Sequence, residues 1–192
     1  MSRLLPITAH SVMSAAKQSI GITETAENIT EFGARFGMNG ESWCAIFVWD
    51  CFKKAGFDLK TLTPRLAACW FFHQAAVESG WQRVTPSTAK SGDVIFFLWP
   101  EDVGKIKYLS HVGLVDEPAR KNNKIVTIEG NTPPPPGSNS RAEGVYRKER
   151  SNNSTVYAIL RPPYKQDDTE SQSESSVLPA PPVGIPIIYR LI

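Results

Sequence analysis

The sequence has few of the residues that build metal sites or disulfide frameworks. It contains three cysteines and three histidines among 192 residues, and no two cysteines follow the C-x-x-C spacing. An odd number of cysteines without paired spacing argues against a disulfide scaffold and against a zinc-finger type of site. The three thiols are therefore expected to be reduced.

Long apolar runs and charge of one sign are also missing. No segment approaches the roughly 18 apolar residues that a membrane span requires. The first 21 residues are interrupted by Pro6, His10 and Lys17 and lack the apolar core of a signal peptide. The net charge is +2, with basic and acidic residues intermixed, a pattern that does not indicate nucleic-acid binding. We expect a protein without a membrane span that stays in the cytoplasm unless something else releases it.

The residues that are present predict a folded domain. The chain is 41% hydrophobic and 21% charged, which is typical of a globular protein with a core. Helical spacing over 9–20, 24–35 and 65–78 predicts helices, with Thr23 as a cap for the second. Five later segments are short and rich in β-branched and aromatic residues: 93–99, 111–117, 124–130, 144–149 and 155–161. This order predicts an α+β domain with helices packed on a mostly antiparallel sheet of about five strands.

The segment from 43 to 56 has the clearest helical pattern. Starting at Cys44, apolar residues recur at i+3, i+4, i+7, i+8 and i+11, which forms one helix face. Ser42 is predicted to cap the start of this helix and Gly56 its end. The first turn of a helix favours a thiolate, and its N–H groups can bind an oxyanion. Cys44 is therefore the candidate nucleophile, with a plain core cysteine as the alternative.

The remaining cysteines and histidines separate by their surroundings. Cys51 and Cys69 lie in apolar stretches without a helix N-terminus, so both are predicted to be structural. His10 and His73 are predicted to be surface or packing residues. His111 begins the segment HVGLV, where its ring can face a helix N-terminus, as the general base of a thiol requires. The alternative for His111 is an ordinary residue at the end of a strand.

A catalytic imidazole also needs a third group that orients it. Glu129 and Asn131 lie two positions apart in the segment TIEGNT, so in an extended strand both point to the same face. Either one can orient His111, and an amphipathic strand without a site has the same pattern. Asp93, in the segment SGDVIFF, is predicted to belong to a turn.

Four segments in this order carry a resemblance to a known family: NGESWCAIFV, SGDVIFF, SHVGLV and TIEGNT. Together they resemble the CHAP domain, the cysteine- and histidine-dependent amidohydrolase/peptidase of many phage endolysins and bacterial wall hydrolases, within the NlpC/P60 superfamily. The resemblance covers roughly positions 10 to 162.

The resemblance implies a papain-like α+β fold and an enzyme. It assigns the catalytic roles to Cys44, His111 and Glu129 and matches Asn131 to a further polar residue near the site. Trp43, next to the nucleophile, is expected to contact substrate. The implied substrate is bacterial peptidoglycan, and the implied enzyme is an endolysin, most similar to those of phages that infect actinobacteria. Such an enzyme acts on the wall after release through a separate holin-type protein.

Several alternatives stay open at this point. The cleaved bond either joins the sugar to the first alanine, which makes an amidase, or lies in the peptide stem or cross-bridge, which makes an endopeptidase. One alternative function keeps the hydrolase chemistry with another substrate, as in a host remodelling enzyme, an antibacterial toxin or a small-conjugate amidase. Another is a wall-binding or virion structural module without catalysis.

No cofactor is expected, and a calcium site is left open. Four residues supply oxygen ligands before Cys44 but lack the alternating spacing of a calcium loop: Asn28, Glu31, Asn39 and Glu41. The predicted organisation is a catalytic domain over 1–164, a flexible polar linker over 165–176 and a short proline-rich apolar tail over 177–192.

Overall fold

The computed structural model of the chain describes residues 4–105, 107–119, 124–151 and 155–166. Its α-helices are α1 (Ala9–Gln18), α2 (Glu31–Phe36), α3 (Cys44–Lys54) and α4 (Cys69–Glu78). Its strands are β1 (Gln82–Val84), β2 (Val94–Phe97), β3 (His111–Glu117), β4 (Lys124–Thr132), β5 (Gly144–Ser151) and β6 (Val156–Arg161). The apolar tail and all but the first two residues of the predicted linker lie outside the described residues.

The six strands form one sheet in the order β1-β6-β2-β3-β4-β5, and neighbouring strands pair antiparallel. The predicted α+β class with an antiparallel sheet is confirmed. The strand that the sequence did not predict is β1, which has only three residues, two of them exposed, and therefore lacks apolar alternation. Within the described residues, no helix is both long and apolar enough to cross a membrane.

The N-terminal helices differ from the predicted ones in their boundaries. The segment predicted as a helix over 24–35 is helical only from Glu31, and Thr30 caps it by accepting a hydrogen bond from the Gly33 N–H at 2.9 Å. Thr23 is therefore not the cap. The chain before Thr30 turns instead, since the Thr25 N–H donates to the Ile29 carbonyl at 3.0 Å. This hydrogen bond between residues four positions apart belongs to a turn, so the segment is not helical despite its apolar spacing.

Helix α3 is the central element of the core. Every residue from Cys44 to Phe52 is buried, because α1 and α2 cover one side of the helix and β3 and β4 cover the other. The predicted apolar face is only part of this surface, since Ile46 and Trp49 are buried as well. Helix α3 is thus packed between helices on one side and strands on the other.

A glycine lets β4 approach α3 closely. A β-carbon at Gly130 would lie 2.6 Å from Cβ of Phe47 and 2.8 Å from the indole ring of Trp43. No larger residue fits at this contact without displacing the strand or the helix. The close approach brings Glu129 and Asn131, on either side of Gly130, to the level of the helix start.

Candidate active site

Cys44 is the first residue of α3, and it lies in the wall of an open cleft. The residue before the helix is Trp43, which makes no side-chain capping bond, so the prediction of Ser42 as the cap is wrong. The Trp43 N–H instead donates to Oδ1 of Asn131 at 3.0 Å. A strand residue therefore holds the helix start, which a local capping pattern does not reveal.

His111 is the first residue of β3, and its ring is buried beside the thiol. Nε2 lies 2.9 Å from Oε2 of Glu129, and the Cys44 side chain interacts with the ring and raises its pKa. Because Glu129 occupies Nε2, Nδ1 is the nitrogen left for the thiol. The ring of Trp99 stacks on the imidazole, with centroids 6.1 Å apart. The orientation of the imidazole is thus fixed.

Glu129 is fully buried, and its carboxylate receives hydrogen bonds at both oxygens. Oε1 accepts from Oγ1 of Thr127 at 2.5 Å and from Nε of Arg150 at 2.8 Å. Oε2 accepts from His111 and from Nη2 of Arg150. Burial acts to raise the pKa of Glu129, but bonds and charges from Arg150 and His111 outweigh it and hold the pKa well below its usual value. Glu129 is therefore ionised where it hydrogen-bonds to the imidazole.

Gly113 on β3 makes room for this carboxylate. A β-carbon at Gly113 would lie 2.7 Å from Cγ of Glu129, so a side chain there would push the carboxylate away from His111. The glycine two residues after the histidine in the segment HVGLV is thus required for steric reasons.

The thiol and the imidazole shift each other's pKa values in opposite directions. A hydrogen bond with Cys69 and the bond and charge of His111 lower the pKa of Cys44 well below its usual value, against the effect of burial. Burial acts to lower the pKa of His111, but the bonds to Cys44 and Glu129 raise it to about 10. These opposite shifts favour the pair of a Cys44 thiolate and a His111 imidazolium.

Cys69 lies against the candidate nucleophile at the start of a helix. The prediction that it lacks a helix N-terminus is therefore wrong, and its structural role stays a prediction. It is the first residue of α4, and its sulfur is 3.6 Å from that of Cys44. The Cys44 sulfur and burial raise the pKa of Cys69 well above its usual value. The anion therefore rests on Cys44, which has His111 beside it. No spacing in the sequence predicts a contact between positions 44 and 69.

Asn131 lies in the cleft but does not hold the imidazole. Its side chain accepts from Trp43 and donates to Oε2 of Glu143 at 2.6 Å. The expectation that Glu129 and Asn131 share one face assumed extended backbone. Asn131 instead has a positive φ of 53° within a register shift of β4. Glu129 is therefore the residue that orients His111, and Asn131 positions the start of α3.

The expected substrate contact of Trp43 is corrected by its burial. The indole has no exposed surface and stacks on Phe32 with ring centroids 5.5 Å apart. It is therefore a core residue beneath the helix start. Two residues that the sequence did not single out stand at the site instead, namely Trp99 and Arg150. The register that pairs Phe97 with His111 puts Trp99 beside the histidine, and a strand pattern alone does not supply that register.

The cleft at Cys44 has a volume of about 510 Å³. Six of its lining residues come from five separate parts of the chain: Cys44, Trp99, His111, Asn131, Glu143 and Arg150. A larger cleft of about 940 Å³ lies between α1 and the chain around Pro162–Gln166 and contains none of these residues. The smaller cleft is the candidate active site because the candidate nucleophile, Cys44, lines it.

The expectation that no cofactor is needed stays a prediction. Among the described residues, no group of three or more histidine, cysteine, aspartate or glutamate side chains is placed to hold a metal ion. Two of the oxygen-bearing residues considered for calcium have local partners. Oδ1 of Asn39 accepts from the Thr30 N–H, and Glu31 pairs with Arg35.

The lowered pKa of Cys44 predicts its reactivity toward iodoacetamide. An ordinary thiol reacts roughly 80-fold faster at about pH 8 than at about pH 6, because its thiolate fraction rises over that range. We expect alkylation of Cys44, followed by mass spectrometry, to vary much less with pH. A Cys44→Ala variant should show only slow labelling of Cys51 and Cys69, because both thiols are buried. A rate that climbs through the whole range like that of a free thiol would contradict the ion pair.

Comparisons with known proteins found similar solved structures. No curated protein sequence matched the chain. The chain is similar to the endolysin LysIME-EF1, with 16% identity, a TM-score of 0.49 and coverage of 83% of this chain and 66% of that one, just under two thirds. It is also similar to the P60 domain of the M. avium subspecies paratuberculosis antigen MAP1204, with 13% identity, a TM-score of 0.48 and coverage of 82% and 96%. A third similar structure is RipD of Mycobacterium tuberculosis, described as a non-catalytic NlpC/p60 domain protein, with 13% identity, a TM-score of 0.45 and coverage of 80% and 95%.

A family model gives the assignment. The model described as the CHAP domain matches residues 36–131, which is half of the chain. The matched region begins before Cys44, includes His111 and Glu129, and ends at Asn131. This chain therefore belongs to the CHAP domain family.

Proposed function

We propose that this protein is a peptidoglycan hydrolase that cleaves an amide bond of the bacterial cell wall. The observation that carries the proposal is the arrangement of three side chains. The Glu129 carboxylate hydrogen-bonds to the His111 imidazole, and the imidazole and the Cys44 thiol, which shift each other's pKa values, line the same open cleft. A buried carboxylate, an oriented imidazole and a thiol at a helix start are the parts of a cysteine hydrolase. Membership in the CHAP family supports the wall as substrate.

The first half of the reaction forms a thioester. The Cys44 thiolate attacks the carbonyl carbon of the amide, and the carbonyl oxygen becomes an oxyanion. The first N–H groups of α3 have no acceptor within the helix, and the proposal assigns the stabilisation of that oxygen to them. The Trp43 N–H is not among these donors, since Asn131 already accepts from it. His111 then gives its proton to the departing amine, and the C–N bond breaks.

The second half releases the acid. The neutral His111 accepts a proton from water, which attacks the thioester and restores the Cys44 thiolate and the imidazolium. Glu129 keeps the ring in place and stabilises its positive charge in both halves. Arg150 in turn keeps Glu129 ionised, so it acts on the chemistry through that carboxylate.

The proposal is tested on isolated walls. Purified reduced protein is incubated with actinobacterial and with staphylococcal peptidoglycan, turbidity is followed, and released fragments are identified by mass spectrometry. We expect soluble fragments from at least one wall. A new amino-terminal alanine freed from the sugar identifies an amidase, whereas new termini within the stem or cross-bridge identify an endopeptidase. A preference for actinobacterial walls would support the narrower proposal of an endolysin against such hosts.

Protein treated with iodoacetamide is the control for that assay, because alkylation removes the nucleophile without changing the sequence. If the protein sediments with walls but releases no fragment from them, the hydrolase proposal is wrong and a wall-binding module is the better assignment. Hydrolysis of small peptide amides without any wall release would keep the chemistry and move it to another substrate.

A further inference from the structure

Helices α3 and α4 begin at the same point in the molecule, and each begins with a cysteine. Cys44 and Cys69 are the first residues of their helices, and their sulfur atoms lie 3.6 Å apart. We propose that Cys69 is a resolving cysteine, which closes a reversible disulfide with Cys44 after a peroxide has oxidised Cys44. The disulfide would switch off the proposed hydrolase. That consequence rests on the proposed function, whereas disulfide formation does not.

The geometry requires little movement. A disulfide has a sulfur–sulfur length of about 2.05 Å, so the two atoms must approach by about 1.5 Å. Each sulfur belongs to the first residue of its helix, where the chain leaves a turn and is not held by bonds from a preceding helical turn. Cys44 and Cys69 pack together in the same core cluster. A rotation about the side-chain bonds, together with a small shift of one helix end, closes the remaining distance.

The order of the two steps follows from access and charge. Cys44 lines the open cleft beside His111, and it carries the negative charge that a peroxide requires of its target. The two side chains are similarly buried, with 4% of Cys44 and 6% of Cys69 exposed, but Cys69 is not among the described residues that line this cleft. Peroxide therefore reacts at Cys44, and Cys69 is the thiol in position to attack the product.

The chemistry balances with peroxide as the only oxidant. The Cys44 sulfur attacks one oxygen of the peroxide, the O–O bond breaks, and the released hydroxide takes a proton to become water. Cys44 is now a sulfenic acid. The Cys69 sulfur attacks the Cys44 sulfur, the S–S bond forms, and the S–O bond breaks. The hydroxyl group leaves with the Cys69 proton as a second water. The two sulfurs together lose two electrons, and a dithiol reagent returns them.

A simpler reading is that Cys69 only packs against the nucleophile. The third cysteine offers a matched control for that reading, because Cys51 is fully buried in the same helix as Cys44. Burial raises the pKa of Cys51, and the charge of Asp50 raises it further. If proximity within a packed core were enough for oxidation, Cys51 would oxidise as well. If the proposal holds, only Cys44 and Cys69 form a bond.

The experiment uses the wild type, in which oxidation of Cys51 is followed, together with the Cys51→Ala variant and the Cys51→Ala/Cys69→Ser variant. Trypsin leaves Cys44 and Cys51 in one peptide, 36–53, and Cys69 in another, 66–83, so without Cys51 a link between these peptides identifies the Cys44–Cys69 bond. Each reduced protein is treated with hydrogen peroxide, blocked with iodoacetamide and digested without reductant for mass spectrometry. Wall release is measured before peroxide, after it and after dithiothreitol.

We expect the Cys51→Ala protein to lose two hydrogens, to show the linked peptides and to recover nearly all activity with dithiothreitol. The variant without Cys69 should gain two oxygens on Cys44 and recover less than about a tenth of its activity, because sulfinic acid is not reduced by dithiols. Absence of the linked peptides at a peroxide dose that oxidises Cys44 would overturn the proposal.

The two proposals fail separately. If the linked peptides form but the protein never releases wall fragments, the disulfide proposal is supported and the hydrolase proposal is wrong. If wall fragments are released but no linked peptides form, the hydrolase proposal is supported and the disulfide proposal is wrong. The Cys51→Ala protein also serves as the test of folding, because its thermal unfolding is compared with that of the wild type before any oxidation.

Discussion

Replacing Cys44 with alanine is expected to lower the rate of wall cleavage by at least about 10³-fold, because no other thiol among the described residues lines the cleft and can form the thioester. His111 and the N–H groups of α3 would remain, so residual cleavage by water is expected at a low level. The measurement is kcat/KM for fragment release from peptidoglycan. Binding of the protein to intact walls should change little, since the alanine removes one atom from the cleft wall.

The Cys51→Ala variant is the matched control for this loss. It removes the same sulfur atom seven positions further along α3, where the side chain is fully buried and faces no cleft. Its cost should be one of stability alone, about 1 kcal/mol for a small cavity. Cleavage by the Cys44→Ala protein at a rate close to that of Cys51→Ala would mean that the nucleophile lies elsewhere.

Replacing Glu129 with glutamine is expected to reduce kcat by about 10²- to 10⁴-fold. The amide keeps the shape of the side chain but removes the negative charge that stabilises the imidazolium. The pKa of His111 should fall from its raised value of about 10, because one of the two groups that favour its charged form is gone. The positively charged ring is fully present only below its pKa. The alkaline decline of activity should therefore begin at lower pH in the variant than in the wild type.

The same substitution should also destabilise the protein. Arg150 donates two hydrogen bonds to Glu129 and would lose its only close carboxylate among the described residues. Because about a quarter of the Arg150 side chain is exposed, we expect a loss of about 2–4 kcal/mol in the free energy of unfolding, slightly less than for a fully buried pair. Chemical denaturation measures this loss, and pH profiles of kcat measure the effect on His111.

Glu149→Gln provides the matched control on a neighbouring strand. Glu149 pairs with Lys124 at 2.9 Å on the surface, where about half of each side chain is exposed. An exposed pair contributes roughly 0–1 kcal/mol, so this variant should keep both stability and pH profile. Equal profiles for Glu129→Gln and the wild type would show that the carboxylate has only a packing role.

Local pattern predicted the candidate nucleophile and base because both stand at the starts of strongly marked elements. The apolar spacing from Cys44 onward and the change to β-branched residues at His111 are properties of a few consecutive residues. The helix boundary was predicted within one residue, although its capping was not. Ser42 is a good local cap by type, but Asn131 takes the Trp43 N–H from a distance of 88 positions.

What the sequence by itself determined is the class of the fold, the order of its elements and the chain order of Cys44, His111 and Glu129. These depend on periodicity, on turn residues and on family motifs, all of which act over short stretches. Only the tertiary structure decided which residues meet at the sulfur. Cys69 reaches Cys44 because two helix starts converge, and Arg150 reaches Glu129 because β5 pairs with β4 in one register. Such contacts arise from packing between distant segments, and a pattern along the chain has no means of recording them.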